Sequence, residues 1–171
     1  MSTLIEKART FATQKHTHQK RKFNGEPYVN HCIRVSQTVS EFTDNTTLIV
    51  AALLHDTLED TDTTFEELSS EFGIDVATIV FHLTNNSEIM AVKGKTAYLA
   101  DKIPSLTKDE LLIKLADRLD NLTDLRWDDK WSSGYASQTK TVFFDSLGVE
   151  GLQQPHLILM SRISQRIAMY V

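Results

Sequence analysis

At 171 residues the chain is long enough for one domain with a buried core, and its composition, 41% hydrophobic and 24% charged, is that of an ordinary globular protein. No apolar run approaches the roughly 20 residues of a membrane helix, and the start MSTLIEKARTFATQKH carries charges where a signal peptide needs an apolar stretch, so a cytoplasmic protein that engages no membrane is expected. Cys32 is the only cysteine, which excludes an internal disulfide, and the net charge of −5 argues against nucleic-acid binding by the surface as a whole.

Residues 3 to 16 carry Leu4, Ile5, Ala8, Phe11 and Ala12 at helical spacing. The polar stretch KRKFNGEP then reads as a turn, and Pro27 suits the first turn of a second helix that carries Ile33, Val35 and Val39. The segment TDNTT offers caps for a third helix. Leu48 to Leu54 is apolar on every side, which predicts burial all round. Thr63 and Glu66 read as a capping box for a short helix that Gly73 ends. Residues 75 to 84 are rich in Val and Ile but have no strand partner, so a helix is preferred. A further helix is expected over 92 to 103, stopped by Pro104. Thr107 and Glu110 form a second capping box, opening a helix to about Leu122, and residues 135 to 147 and 155 to 170 supply two more. The expected fold is a single all-α domain over 1–171, of roughly eight or nine helices.

Chemistry concentrates in three segments. In HDTLED, residues 55 to 60, an apolar helix runs straight into His55 and Asp56, which are costly to bury unless paired or bound to a metal. Glu59 and Asp60 follow one turn later, so a continuing helix would set four ionisable groups around one helix end. A helix leaving the core and turning polar is the plainer reading of an isolated His-Asp pair, but the density of carboxylates after an apolar run argues against it. In KLADRLDNL, Lys114, Asp117 and Asn121 share a stripe away from the leucines; a solvated face explains that stripe equally well, and Asp120 and Asp124 read as solvent-side charges. In RKFNGEPYVNH, residues 21 to 31, a basic pair and a Gly-containing turn precede His31, suggesting a phosphate-facing loop beside a ligand. His16 and His18 read as surface residues beside that loop, His82 and His156 as structural, and Cys32 as core.

Together these segments resemble the HD superfamily of metal-dependent phosphohydrolases. KHTHQKRK, GEPYVNH, AALLHDTLEDT, the following EFG and LIKLADRLDNL are similar to the hydrolase domain of RelA/SpoT-type enzymes and the stand-alone small alarmone hydrolases, over residues 4 to 126. The resemblance implies removal of the 3′-pyrophosphate from guanosine tetra- and pentaphosphate, with one Mn²⁺ per chain. It implies His31, His55, Asp56 and Asp117 as metal ligands, Glu59 and Asp60 as groups that orient or activate water, and Arg21, Lys22 and Asn121 as contacts to the nucleotide polyphosphate. Such ligands suit Mn²⁺ and related divalent ions, and Arg and Lys offset charge that builds on phosphate.

The chain departs from the family's pattern in two places. NNSEIMAVKGK replaces an acidic and Lys/Arg-rich run and leaves Lys93 and Lys95 as the nearby cations. Near Trp131, Tyr135 and Thr139 stand where the small hydrolases place an arginine and a tyrosine. The departures keep open a different nucleotide substrate: an adenine alarmone, a 2′- or 3′-phosphate of a dinucleotide, or a nucleoside monophosphate. A rival of another class is a non-catalytic regulatory protein whose metal only holds helices together; Glu59 and Asp60 weigh against it.

Overall fold

The computed structural model describes residues 3–126 and 130–170. Met1, Ser2 and Val171, the ends of the expected 1–171 domain, lie outside the described residues with 127–129. Among the described residues there is no strand, only an isolated antiparallel bridge between Lys20 and Pro27. The protein is all-α, with nine helices of eight residues or more among those described and two shorter ones. It divides into two compact units, Met1–Asn85 and Asn86–Val171.

The first unit holds α1 (Thr3–Lys15), α2 (Val29–Ser40), α3 (Thr46–Leu54), α4 (Thr57–Asp60), α5 (Phe65–Phe72) and α6 (Ile74–Leu83). α3 is its axis. Asn45 caps it by accepting from the Thr47 amide, and Leu48 to Leu54 are all buried against α1, α2 and α6. Each fully buried Leu or Val there stabilises the fold by about 1.5–3 kcal/mol. The helix does not continue through the HDTLED segment. It stops at Leu54, His55 and Asp56 form a turn, and the short α4 begins at Thr57. The Thr57 hydroxyl, fully buried, donates to the Leu54 carbonyl at 2.7 Å and so holds the break. The next cap is one residue later than expected: Thr64, not Thr63, accepts from the Glu67 amide at 3.1 Å. Gly73 ends α5 at φ 92°, a conformation that suits glycine.

The second unit holds α7 (Ser87–Lys93), α8 (Lys95–Lys102), α9 (Lys108–Thr123), α10 (Lys130–Lys140) and α11 (Gln154–Ile167). The single helix expected over 92 to 103 is in fact two, separated by Gly94 at φ 83°. Pro104 lies in a 3-10 turn, Ile103–Ser105, where the helix stops as expected. The Thr107–Glu110 capping box is complete, with both reciprocal bonds made, at 3.3 and 2.8 Å. α9 packs on α11. α10 starts earlier than expected and widens into a π turn, Thr141–Asp145.

Candidate metal centre and substrate site

In the first unit, α2 presents His31 while the turn after α3 presents His55 and Asp56. Both imidazole Nε2 atoms face one carboxylate oxygen: Asp56 Oδ2 lies 3.1 Å from His55 and 3.5 Å from His31. Both histidines are buried. The His55 ring is oriented by its other nitrogen, because Nδ1–H donates to the Ala52 carbonyl at 2.8 Å. A neutral His55 therefore turns a lone pair toward a carboxylate, an arrangement that repels unless a proton or a cation stands between them. The donor set thus fits a divalent metal. With protons on the two imidazoles in place of a cation, burial, which opposes the charged form of Asp56, is outweighed by the His55 charge and the hydrogen bonds from His31 and His55, which hold the carboxyl well below the usual carboxylate range.

Tyr28, to which the sequence pattern assigns no role, completes this cluster. Its hydroxyl donates to Asp56 Oδ2 at 2.7 Å, and its ring packs edge-on to His31 at 5.5 Å. The signal was present: Tyr28 precedes His31 by one helical turn. His16 is not a surface residue. It is 1% exposed, and its ring lies 5.1 Å from Tyr28. Burial lowers its pKa, and Asp56, His55 and His31 all act on it electrostatically. His18 and His82 are exposed, and Cys32 is fully buried as expected.

The two carboxylates of α4 differ. Both Glu59 oxygens accept from Asn85, through its backbone amide at 2.9 Å and its side-chain amide at 3.0 and 3.1 Å. Asp60 is pushed up to about 6, by burial first and then by the Asp56 and Glu59 charges. The basic loop is closed by the Lys20–Pro27 bridge, and its turn needs Gly25 at φ 73°. Arg21 is largely buried with its guanidinium 5.6 Å from the Tyr28 ring centre, and Lys22 lies over Phe23.

In the second unit, the stripe on α9 is not a solvated face. Lys114 and Asp117 are 8% and 6% exposed, with Lys114 Nζ 2.8 Å from Asp117 Oδ2, and Asn121 Nδ2 donates to Asp117 Oδ1 at 2.5 Å. The amide and the ammonium each take one oxygen of Asp117. Asp120, expected at the solvent side, is also buried. His156 is structural, its ring bonded to the Lys108 carbonyl and the Gln153 amide. Tyr135 stacks on Trp131 and lies under the Arg118 guanidinium at 4.4 Å, while Thr139 accepts from Arg118. Lys93 is ion-paired with Asp101.

Residues 8–145 match the HD domain family. A guanosine-3′,5′-bis(diphosphate) 3′-pyrophosphohydrolase, MESH1 of Danio rerio, is 38% identical over 161 residues, 91% of this chain and 87% of its own length. The guanosine-3′,5′-bis(diphosphate) 3′-pyrophosphohydrolase of Aquifex aeolicus is 44% identical over 124 residues, 71% of this chain and 18% of its own. The solved structure of a metazoan SpoT ortholog, a protein that hydrolyses ppGpp and plays a role in starvation responses, superimposes with TM-score 0.83 at 31% identity, covering 97% of each chain. The paired imidazoles on Asp56 and the likeness over almost the whole length agree: the chain belongs to the HD family, in the group formed by MESH1 and the SpoT/RelA-type hydrolases.

Proposed function

We propose that the chain is a divalent-metal-dependent 3′-pyrophosphohydrolase of guanosine tetra- and pentaphosphate or a related nucleotide alarmone. The observation that carries this reading is the His55 lone pair set against the Asp56 carboxylate, with His31 on the same oxygen. His31, His55 and Asp56 would hold the metal, joined by Asp117 on the strength of its place in the KLADRLDNL motif. Mn²⁺ suits these ligands, and when bound such a cation polarises a phosphoryl oxygen and makes water more acidic. The family match runs through the boundary between the two units, which supports one catalytic domain over 1–171. A cytoplasmic location goes with this reading. Among the described residues no helix is long and apolar enough to cross a membrane.

In the reaction, the oxygen of water bonds to the phosphorus nearest the ribose and the bond from that phosphorus to the 3′ oxygen breaks. Pyrophosphate leaves, and the 3′ oxygen takes up a proton. Asp60, pushed up to about 6, is matched to accepting the water's proton near neutral pH. Arg21, Lys22 and Asn121 would hold the substrate's phosphates. The pairing of Lys93 with Asp101 and the enclosure of Tyr135 and Thr139 by Arg118 favour a second reading, in which the same chemistry serves another nucleotide. A substrate panel with Mn²⁺, scoring pyrophosphate and orthophosphate separately, tests the assignment. Pyrophosphate from a guanosine 3′-pyrophosphate is expected. Orthophosphate from a 5′-monophosphate, with no 3′-pyrophosphate turned over, would overturn the substrate class.

Arg21→Ala should raise KM for that nucleotide about 10- to 100-fold, the scale of a lost charge-assisted hydrogen bond, and leave a small artificial phosphodiester little changed. Equal losses on both substrates would assign Arg21 to the packing of Tyr28 instead.

A further inference from the structure

The cluster in the first unit contains one histidine that the ligand set does not use. His16 Nδ1 lies 2.7 Å from Gln19 Oε1. The orientation of that amide is settled by its other end, because Gln19 Nε2 donates to the Asp60 carbonyl at 2.5 Å. Gln19 Oε1 is then an acceptor, Nδ1 of His16 carries the hydrogen, and the neutral ring is left with a bare lone pair on Nε2. That atom is buried and has no hydrogen-bond partner among the described residues. An unmet buried acceptor costs about 1–3 kcal/mol, and such atoms in native proteins call for a ligand or a role.

The position of the ring says which ligand. His16 packs on Tyr28, whose hydroxyl is bonded to Asp56, and the relay through Gln19 ends on the backbone of Asp60. Phosphate oxygens accept hydrogen bonds and offer none to a lone pair. Near the reacting phosphorus of a ribose 3′-pyrophosphate the hydrogen donors are the attacking water and the neighbouring 2′-hydroxyl. Both Glu59 oxygens already receive hydrogen bonds from Asn85. We propose that His16 is a further catalytic residue, whose Nε2 accepts a hydrogen bond from the attacking water and sets its direction, with Gln19 fixing the tautomer. This inference rests on the hydrolytic reading of the cluster but not on the identity of the nucleotide.

The test compares His16→Phe, which keeps a ring against Tyr28 and removes the acceptor, with His16→Gln, which offers an amide oxygen in its place. In His16→Phe we expect kcat to fall about 10²-fold, the scale of acid-base and water-orienting help, with KM and metal stoichiometry unchanged. His16→Gln should recover about tenfold of that loss. Should the Phe variant fail to fold by circular dichroism, Gln19→Leu takes its place, with an expected loss of about tenfold in kcat alone. Side-chain ¹⁵N spectra of the wild type should show His16 protonated at Nδ1 and bare at Nε2. A protonated Nε2, a wild-type kcat in His16→Phe, or a loss confined to KM would overturn the proposal. So would a loss that vanishes on the 2′-deoxy substrate, which would assign the lone pair to the sugar hydroxyl. The comparison runs on whichever phosphoester the wild type turns over, so failure on the guanosine alarmone removes the substrate assignment and still decides the role of His16.

Discussion

Asp56→Ala is expected to leave the protein folded, without bound metal and without measurable turnover. Asp56 Oδ2 is the point on which His31 and His55 converge, and it also receives the Tyr28 hydroxyl. Removing the carboxylate deletes a ligand and takes from two buried imidazoles the charge that balances a cation beside them. Breaking a buried ionic arrangement in this way costs about 3–5 kcal/mol, or roughly 10²- to 10³-fold and more in metal affinity at about 1.4 kcal/mol per decade. Asp56→Asn, which keeps the shape and the hydrogen bond from Tyr28, should lose metal almost as completely, separating charge from packing. Elemental analysis after gel filtration, alongside turnover with Mn²⁺, reads both. A stoichiometric metal and wild-type rate in Asp56→Ala, or full activity of the wild type after exhaustive chelation, would sink the metal assignment.

Glu59→Gln should retain metal and fold and lose about 10²-fold in kcat. The change keeps the volume and leaves one oxygen to accept from the Asn85 amide, so the link between α4 and the end of α6 survives in part. It removes one of the negative charges that push Asp60 up to about 6. Asp60 then becomes a weaker proton acceptor, so the loss should belong to turnover and not to binding. Turnover and melting temperature are measured on the same preparation. An unchanged kcat with a lowered melting temperature would make Glu59 a strut between the two helices and leave Asp60 as the group that activates water.

Much of this was legible in the residues because it depends on short-range patterns. An apolar run such as Leu48 to Leu54 admits only a buried helix, and Thr107 with Glu110 names its own helix start. The HDTLED and KLADRLDNL segments marked the chemistry through side chains that are expensive to bury. What escaped was set by packing. DTTFEE contains two overlapping capping boxes, and nothing local prefers Thr64 over Thr63. Thr57-Leu-Glu-Asp has ordinary helical propensity, so the break at His55 and Asp56 cannot be read without the buried Thr57 hydroxyl that holds it. His16 stands in the most polar stretch of the chain, and only the approach of Tyr28 shows it to be interior. The stripe Lys114, Asp117 and Asn121 was ambiguous by spacing alone, and burial resolved it.

The setting of α3 also bears on how the protein lives with its cation. Small zinc domains are unfolded without metal, because the metal supplies the core that their residues lack. Here the helix that leads to the ligand pair is encased in Leu, Val, Ile and Ala side chains and capped by Asn45. Its register is set by that packing and cap, and the His55 ring is aimed by the Ala52 carbonyl. A cation held by His55 and Asp56 would dock at the end of a helix that its own core keeps in place, so chelation is expected to remove activity and to leave the helical circular-dichroism signal unchanged. Divalent-metal supply can act on such a protein as a reversible throttle.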